Sequence, residues 1–190
     1  SMTRARHPID VLVNCAGVLE HARFVETTAE RHLELIDLNV CALTELLAHF
    51  VPPMVERRRG RVLNVASIAS FMPVPTLATY AATKAYVLSI TESLAEELAG
   101  SGVTATALCP GVTATHMLTA AQQASEQLKK LPGLMIGSAE SVAREGYEAC
   151  MAGEVIRVPG TLNAAAAAAA GAMPKWMLRR LTGAVVRSAE

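Results

Sequence analysis

Three side chains near the middle of the sequence have the types and the spacing that proton transfer requires. Tyr80 and Lys84 are four residues apart, so on a helix they lie one turn apart on the same face. An ammonium held near a phenol favours the phenolate, so this spacing predicts a lowered pKa for Tyr80. The Ser67 hydroxyl would point into the crevice at the C-terminal end of a predicted strand, residues 61–65. Because Tyr-x-x-x-Lys is common on amphipathic helices, this interpretation depends on the rest of the chain.

Composition and charge narrow the class of protein. The chain has 190 residues, of which 52% are hydrophobic and 18% charged, which is typical of a globular protein. The 17 basic and 17 acidic residues balance, which argues against a general nucleic-acid or anionic-membrane binder. Zero net charge also favours self-association. With no internal repeat or linker, residues 1–190 predict a single domain.

Cysteines and histidines give no sign of a metal site or a disulfide framework. Cys15, Cys41, Cys109 and Cys150 contain no Cys-x-x-Cys pair, and the five histidines have no metal-ligand spacing. We therefore expect reduced, mostly buried thiols in a cytoplasmic protein, and no metal. No uninterrupted apolar run reaches the length of a membrane span, so a membrane protein is not expected.

Apolar runs and helical patterns alternate along the chain. Strands are predicted at 9–13, 61–65, 103–108 and 155–158, because these runs are short, apolar and rich in β-branched residues. Helices are predicted from a Thr27 or Thr28 cap to about 37, then across 43–57, 80–99 and 139–151, the last capped by Ser138. This alternation predicts an α/β fold with a parallel sheet of four strands. The helix at 80–99 carries a second apolar stripe, which favours packing against a partner subunit.

Several loops contain small or polar residues that suit a ligand. The first predicted strand ends in Asn14-Cys15-Ala16-Gly17, where a ligand could approach the backbone, although an ordinary turn fits equally. Asn39 is either a satisfied core amide or a group that holds water at a site. The turn at 110–115 is rich in residues that shape backbone around a ligand, and 116–138 is either a mobile cover or a surface segment.

The tail at 161–190 combines an alanine run with Trp176 and a basic cluster. The alanines predict helix. A terminal helix docking on this domain or its partner is favoured over one lying on a membrane surface.

Taken in order, these motifs resemble those of the short-chain dehydrogenase/reductase family over essentially the whole chain. They are Asn14-Cys-Ala-Gly17, Asn39, Ser67, Tyr80-x-x-x-Lys84, and Pro110-Gly111 with Thr115. The resemblance implies a partial Rossmann-like, doubly wound parallel sheet. It also implies hydride transfer between NAD or NADP and a small carbonyl or alcohol, and a homodimer or homotetramer. The apolar content of 116–136 suggests a hydrophobic substrate.

The same resemblance implies roles for individual residues. Tyr80 would be the general acid/base, with Lys84 lowering its pKa and holding the nicotinamide ribose. Ser67 would orient the substrate, and Asn39 would hold a water that relays protons from Lys84. The cofactor would be lined on its adenosine side by Asn14, Ala16 and Gly17, and at its nicotinamide end by Pro110, Gly111, Val112, Thr113 and Thr115.

The family's first half has no counterpart ahead of Asn14. No Gly-rich turn precedes that motif, so we expect weak cofactor affinity from this chain alone. The first strand becomes an apolar edge, which we expect a second copy or a rearranged segment to cover. Two functions follow: a truncated dehydrogenase, or a catalytically impaired remnant that serves as a dimerising interaction module. A third possible function, which the sequence favours less, is that of a peripheral membrane protein attached by its tail.

Overall fold

A computed structural model describes residues 8–114 and 137–189 of the chain. Its strands are β1 (Val11–Asn14), β2 (Gly60–Val65), β3 (Val103–Leu108) and β4 (Ile156–Arg157). Its helices are α1 (Ala29–Ile36), α2 (Ala42–Glu56), α3 (Ala78–Glu97), α4 (Ala139–Ala152), α5 (Thr161–Ala172) and α6 (Lys175–Ala189). The predictions for Thr115 and for the segment 116–136 concern residues outside those that the structure describes.

The four strands form one parallel sheet in the order β1-β2-β3-β4. Val11 pairs with Arg61, Gly60 with Val103, and Ala107 with Ile156. A parallel pair needs a crossover, and here α1 with α2, then α3, and then α4 lie between successive strands in the chain. The predicted α/β fold with a parallel sheet is confirmed. The last strand is shorter than predicted.

Helices cover both faces of the sheet, as a doubly wound fold requires. Alternate residues of a strand point to opposite faces, so Val62 joins a core with α2 and α3, while Leu63 joins a smaller one with α4. The larger core is built from the buried side chains Leu12, Leu43, Leu47, Phe50, Val51, Met54, Val62, Val87, Leu88, Val103 and Ala105. The smaller core holds Leu63, Leu108 and Cys150.

The helix starts follow the predicted capping residues. The Thr28 hydroxyl accepts a hydrogen bond from the Arg31 amide at 3.3 Å, and the Ser138 hydroxyl accepts one from Ser141 at 3.4 Å. Each bond satisfies an amide in the first turn that has no partner within the helix. The helical tail contains α5 and α6, separated at Pro174.

A π turn at Asp37–Cys41 joins α1 to α2, so helical structure is continuous from Ala29 to Glu56. By length and composition alone this stretch could cross a membrane, the one such helix among the described residues. In the structure, Leu43, Leu47 and Met54 of this stretch pack into the larger core.

Two cysteines depart from their predicted burial. Cys109 and Cys150 are buried, whereas Cys15 and Cys41 are exposed. Cys15 lies in the loop after β1, and Cys41 ends the π turn.

No described strand pairs with the outer edge of β1. Val11 and Val13, whose side chains point away from the larger core, are 38% and 53% exposed. That a second copy or a rearranged segment covers this edge stays a prediction, since the structure holds one chain.

Candidate active site

The C-terminal ends of β1, β2 and β3 bring three loops together at one edge of the sheet. The loop after β2 is fixed to the loop after β3 by two backbone bonds. The Ala66 amide donates to the Leu108 carbonyl at 2.8 Å, and the Ile68 amide donates to the Pro110 carbonyl at 2.9 Å. In open α/β sheets this edge is where ligands bind. Of the predicted site residues, Asn14 ends β1, while those at 16–17, 67 and 110–113 lie on these loops.

Ser67 is held at the end of β2 by its own loop. It caps a short 3₁₀ turn, Ile68–Phe71, and its hydroxyl accepts a hydrogen bond from the Ala69 amide at 3.1 Å. The side chain is only 9% exposed, and its hydroxyl lies near enough to the Tyr80 phenol to affect the pKa of that phenol. The cap therefore sets the position of the hydroxyl relative to the phenol.

Lys84 reaches back from α3 to the same strand end. Its Nζ donates to the Val65 carbonyl at 2.8 Å and lies 5.8 Å from the centroid of the Tyr80 ring. The Ser70 hydroxyl donates to the Lys84 carbonyl at 2.8 Å, which ties α3 to the 3₁₀ turn. Ser67, Tyr80 and Lys84 therefore lie close together at the C-terminal end of β2.

Burial has the largest effect on the pKa values of Tyr80 and Lys84. It raises the pKa of Tyr80, and the nearby Ser67 hydroxyl opposes that shift in part. Burial also lowers the pKa of Lys84 to about 8, and the Cys15 and Cys109 side chains oppose that shift in part. The expectation that Lys84 lowers the pKa of the phenol is therefore wrong for this arrangement: desolvation disfavours both charged forms.

Asn39 fixes the loop after β1 to α3. Its Oδ1 accepts from the Val18 amide at 3.0 Å, while its Nδ2 donates to the Val18 carbonyl at 2.9 Å and to Thr83 Oγ1 at 3.1 Å. Thr83 in turn donates to the Tyr80 carbonyl at 2.8 Å. Both amide hydrogens are used, so Asn39 is a satisfied core amide that positions neighbouring site residues. Its predicted role in holding a water stays a prediction.

Gly17 leaves open the space next to Lys84. A Cβ at this position would lie 3.3 Å from Lys84 Nζ and 3.2 Å from Asn39 Oδ1. A larger residue would press on both groups, so the absence of a side chain lets a ligand approach the backbone here. Ala16 beside it is exposed.

Asn14, which was predicted to line the cofactor, has a buried side chain that bonds to the neighbouring strand. Its Nδ2 donates to Asn64 Oδ1 at 2.8 Å, and Asn64 Nδ2 donates to Thr91 Oγ1 at 2.9 Å. These three polar side chains are 6%, 0% and 0% exposed, respectively, and they link β1 through β2 to α3. The Asn14 side chain therefore holds strands together, and the predicted cofactor contacts of Asn14, Ala16 and Gly17 stay predictions. A polar residue inside the apolar strand 61–65 was the sequence signal for Asn64.

The loop after β3 rests against the tail. Thr113 Oγ1 donates to the Gly111 carbonyl at 3.1 Å, and a Cβ on Gly111 would lie 2.6 Å from Asn163 Nδ2. Asn163 belongs to α5, and its Nδ2 also donates to the Pro159 carbonyl at 2.9 Å. No sequence pattern pointed to Asn163, because its role depends on how α5 folds back. Within the described ranges, no His, Cys, Asp or Glu side chains cluster in a way that could hold a metal ion.

Comparison with known proteins identifies the family of the chain. Residues 2–126 match the sequence model of the short chain dehydrogenase family, which is about two thirds of the chain. This chain belongs to the short-chain dehydrogenase family. The match includes Asn14, Asn39, Ser67, Tyr80 and Lys84.

Its curated relatives are longer proteins. The 3-oxoacyl-[acyl-carrier-protein] reductase of Synechocystis sp. is 36% identical over 135 residues, which is 71% of this chain and 54% of that protein. The acetoacetyl-CoA reductase of Paracoccus denitrificans is 38% identical over 113 residues, which is 60% of this chain and 47% of that protein. The chain spans about half the length of the curated relatives it matches.

A solved structure shares the fold. The short-chain dehydrogenase from Sphingobium yanoikuyae in complex with NADPH superposes with a TM-score of 0.75 at 28% identity. The match covers 91% of this chain and 68% of that one. The Rossmann-type architecture expected from the motifs is therefore confirmed.

Proposed function

We propose that this chain carries the catalytic half of an oxidoreductase that transfers a hydride between NAD or NADP and a carbonyl or alcohol. The observation that carries the proposal is the convergence of Ser67, Tyr80 and Lys84 at the C-terminal end of β2. The relatives named as reductases and the NADPH complex of the Sphingobium enzyme support the reaction type and the cofactor class.

The residues at the site fit one end of such a cofactor. Gly17 lets a ligand approach the backbone, and Lys84 Nζ lies beside it, where it could bind a ribose hydroxyl. The loop from Pro110 to Thr113 would contact the nicotinamide. Among the described residues we find no Gly-rich turn for the pyrophosphate, so these residues supply only part of the binding free energy. When bound, the cofactor supplies the hydride.

Tyr80 would exchange the proton. Because burial keeps its pKa raised, the phenol is protonated at neutral pH, so it can donate to a carbonyl oxygen as reduction requires. Ser67 would hold that oxygen, since its hydroxyl is fixed by the Ala69 amide next to the phenol. Lys84, whose Nζ lies 5.8 Å from the centre of the Tyr80 ring, would hold the nicotinamide ribose beside the phenol.

The experiment combines cofactor titration with turnover. NADH and NADPH are titrated separately by fluorescence, and turnover is then measured with a panel of apolar and polar ketones and aldehydes. Tyr80→Phe should keep the fold and the cofactor affinity but lower kcat by about 10²- to 10⁴-fold. Tyr147→Phe, which removes the hydroxyl of an exposed tyrosine on α4, is the matched control and should leave the rate unchanged.

Two results would overturn the proposal. One is saturable cofactor binding with turnover that survives Tyr80→Phe. The other is the absence of NADH and NADPH binding up to millimolar concentration, which would favour the interaction module instead.

Self-association is part of the proposal. Leu46 and Val55 on α2 and Tyr86 on α3 are 36–41% exposed, which leaves apolar surface on both helices. We expect a dimer or tetramer through this surface. Light scattering coupled to gel filtration tests this, and Leu46→Glu should shift the mass towards the monomer.

A further inference from the structure

The last helix, α6, presents basic and apolar side chains together on its outer surface. Leu178 is turned towards the protein and is 3% exposed. In contrast, Trp176, Met177 and Leu181 are 55%, 40% and 54% exposed. One side of α6 is therefore buried and the other is exposed, while docking of the tail on this domain or on a partner stays a prediction.

The exposed side chains form one patch. Trp176 and Arg180 are four residues apart, as are Met177 and Leu181, so the four lie in two adjacent rows on the helix. The Arg180 guanidinium lies 5.8 Å from the centre of the Trp176 ring, which places a cation over the indole. We call these four side chains the α6 patch.

All charged residues between 161 and 189 are basic. Lys175, Arg179, Arg180 and Arg187 are exposed, and there is no acidic residue between 161 and 189. None of the four forms a salt bridge with another residue in the described part of the chain. Since the whole chain sums to zero, α6 carries a net charge of +4 and the remainder carries −4.

We propose that the α6 patch binds the surface of a membrane that contains anionic lipids. An indole and two aliphatic side chains suit the boundary between headgroups and acyl chains, and cations around them suit anionic headgroups. A second copy of α6 is a poorer occupant, because pairing would bring eight cations together. A nucleic acid would match the charge but would leave Met177 and Leu181 without an apolar partner.

The chain offers its own reporter, because Trp176 is its single tryptophan. Full-length protein is titrated with vesicles of phosphatidylcholine alone and with vesicles that also contain phosphatidylglycerol. The tryptophan emission should shift to the blue with the anionic vesicles only, and the shift should weaken as salt is added. Lipids brominated along the acyl chain should quench the emission of the wild-type protein, which tests insertion without any variant.

Two double variants separate charge from apolar contact while keeping the reporter. R179Q/R180Q should weaken binding to anionic vesicles roughly 30-fold, because each basic side chain near such a surface strengthens binding about fivefold. M177S/L181S should weaken it about tenfold or more and reduce the quenching. The matched control R58Q/R144Q removes the same charge from exposed positions elsewhere and should change the affinity less than threefold. Thermal unfolding confirms that each variant is folded.

Four outcomes would overturn the proposal. They are equal binding to both kinds of vesicle, an equal loss in R58Q/R144Q, a blue shift that depends on protein concentration without lipid, and a larger shift with duplex DNA than with vesicles. The third would indicate a second copy as the occupant, and the fourth a nucleic acid.

Discussion

Replacing Lys84 with Met should make the protein more stable at neutral pH although it removes a site residue. Lys84 is 4% exposed, and burial lowers its pKa from 10.5 to about 8. At pH 7 Lys84 is therefore a buried cation. Its charge lowers the free energy of unfolding by about 3 kcal/mol relative to an uncharged amine at the same position. Met fills a similar volume without charge, but it gives up the hydrogen bond to Val65, which offsets about 1 kcal/mol. The expected net gain is about 2 kcal/mol.

The gain should depend on pH with a definite sign. The unfolded chain binds the Lys84 proton more tightly than the folded protein does, so stability rises with pH between about 8 and 10.5. Below about 8 the full cost of the buried charge is present in the wild type. Above 10.5 it has vanished, and Lys84→Met should then be less stable than the wild type by about 1 kcal/mol.

Urea unfolding followed by circular dichroism, at neutral pH and near pH 10.5, measures both differences. Other groups that titrate at high pH contribute equally to the two proteins and cancel in the comparison. Lys175→Met, at an exposed position on α6, is the control and should change stability by less than about 0.5 kcal/mol at either pH. A Lys84→Met protein that is less stable at pH 7, or whose difference is the same at both values, would refute the reasoning.

Two further substitutions test the site and its support. Gly17→Ala should displace Lys84, whose Nζ would lie 3.3 Å from the new Cβ, and should lower kcat by roughly 10- to 100-fold; Gly171→Ala, which meets nothing within 4 Å, should leave kcat unchanged. Asn64→Leu should lower the free energy of unfolding by about 2–3 kcal/mol, because it leaves the Asn14 amide buried without its acceptor. Steady-state kinetics and urea unfolding give these values, and a loss below about 0.5 kcal/mol for Asn64→Leu would show that the buried amides are independent.

Much of the site was predictable because it depends on local spacing and on strand ends. The four-residue step from Tyr80 to Lys84 fixes their shared helix face. The position of Ser67 directly after an apolar run fixes its place at the edge of a parallel sheet. The caps at Thr28 and Ser138 likewise depend on bonds within one turn.

What the sequence did not predict depends on burial and on contacts between distant segments. The direction of the Tyr80 pKa follows from desolvation, which is a property of the folded environment and not of the spacing to Lys84. The close approach of Asn163 to Gly111 joins helix α5 to the loop after β3. The partial burial of α6, with Leu178 inside and Trp176 outside, could not be read from helical periodicity alone.

The π turn at Asp37–Cys41 holds one residue more than an α turn, so deleting a residue there would restore an uninterrupted α-helix. Because the longer turn and the shorter one complete about the same rotation, Leu35 of α1 and Leu43 of α2 would still face the interior. The change would fall on the turn itself, where Asn39 binds Val18 and Thr83. The extra residue thus gives this amide its position without disturbing the packing faces on either side, and a shortened variant should stay folded while losing those hydrogen bonds.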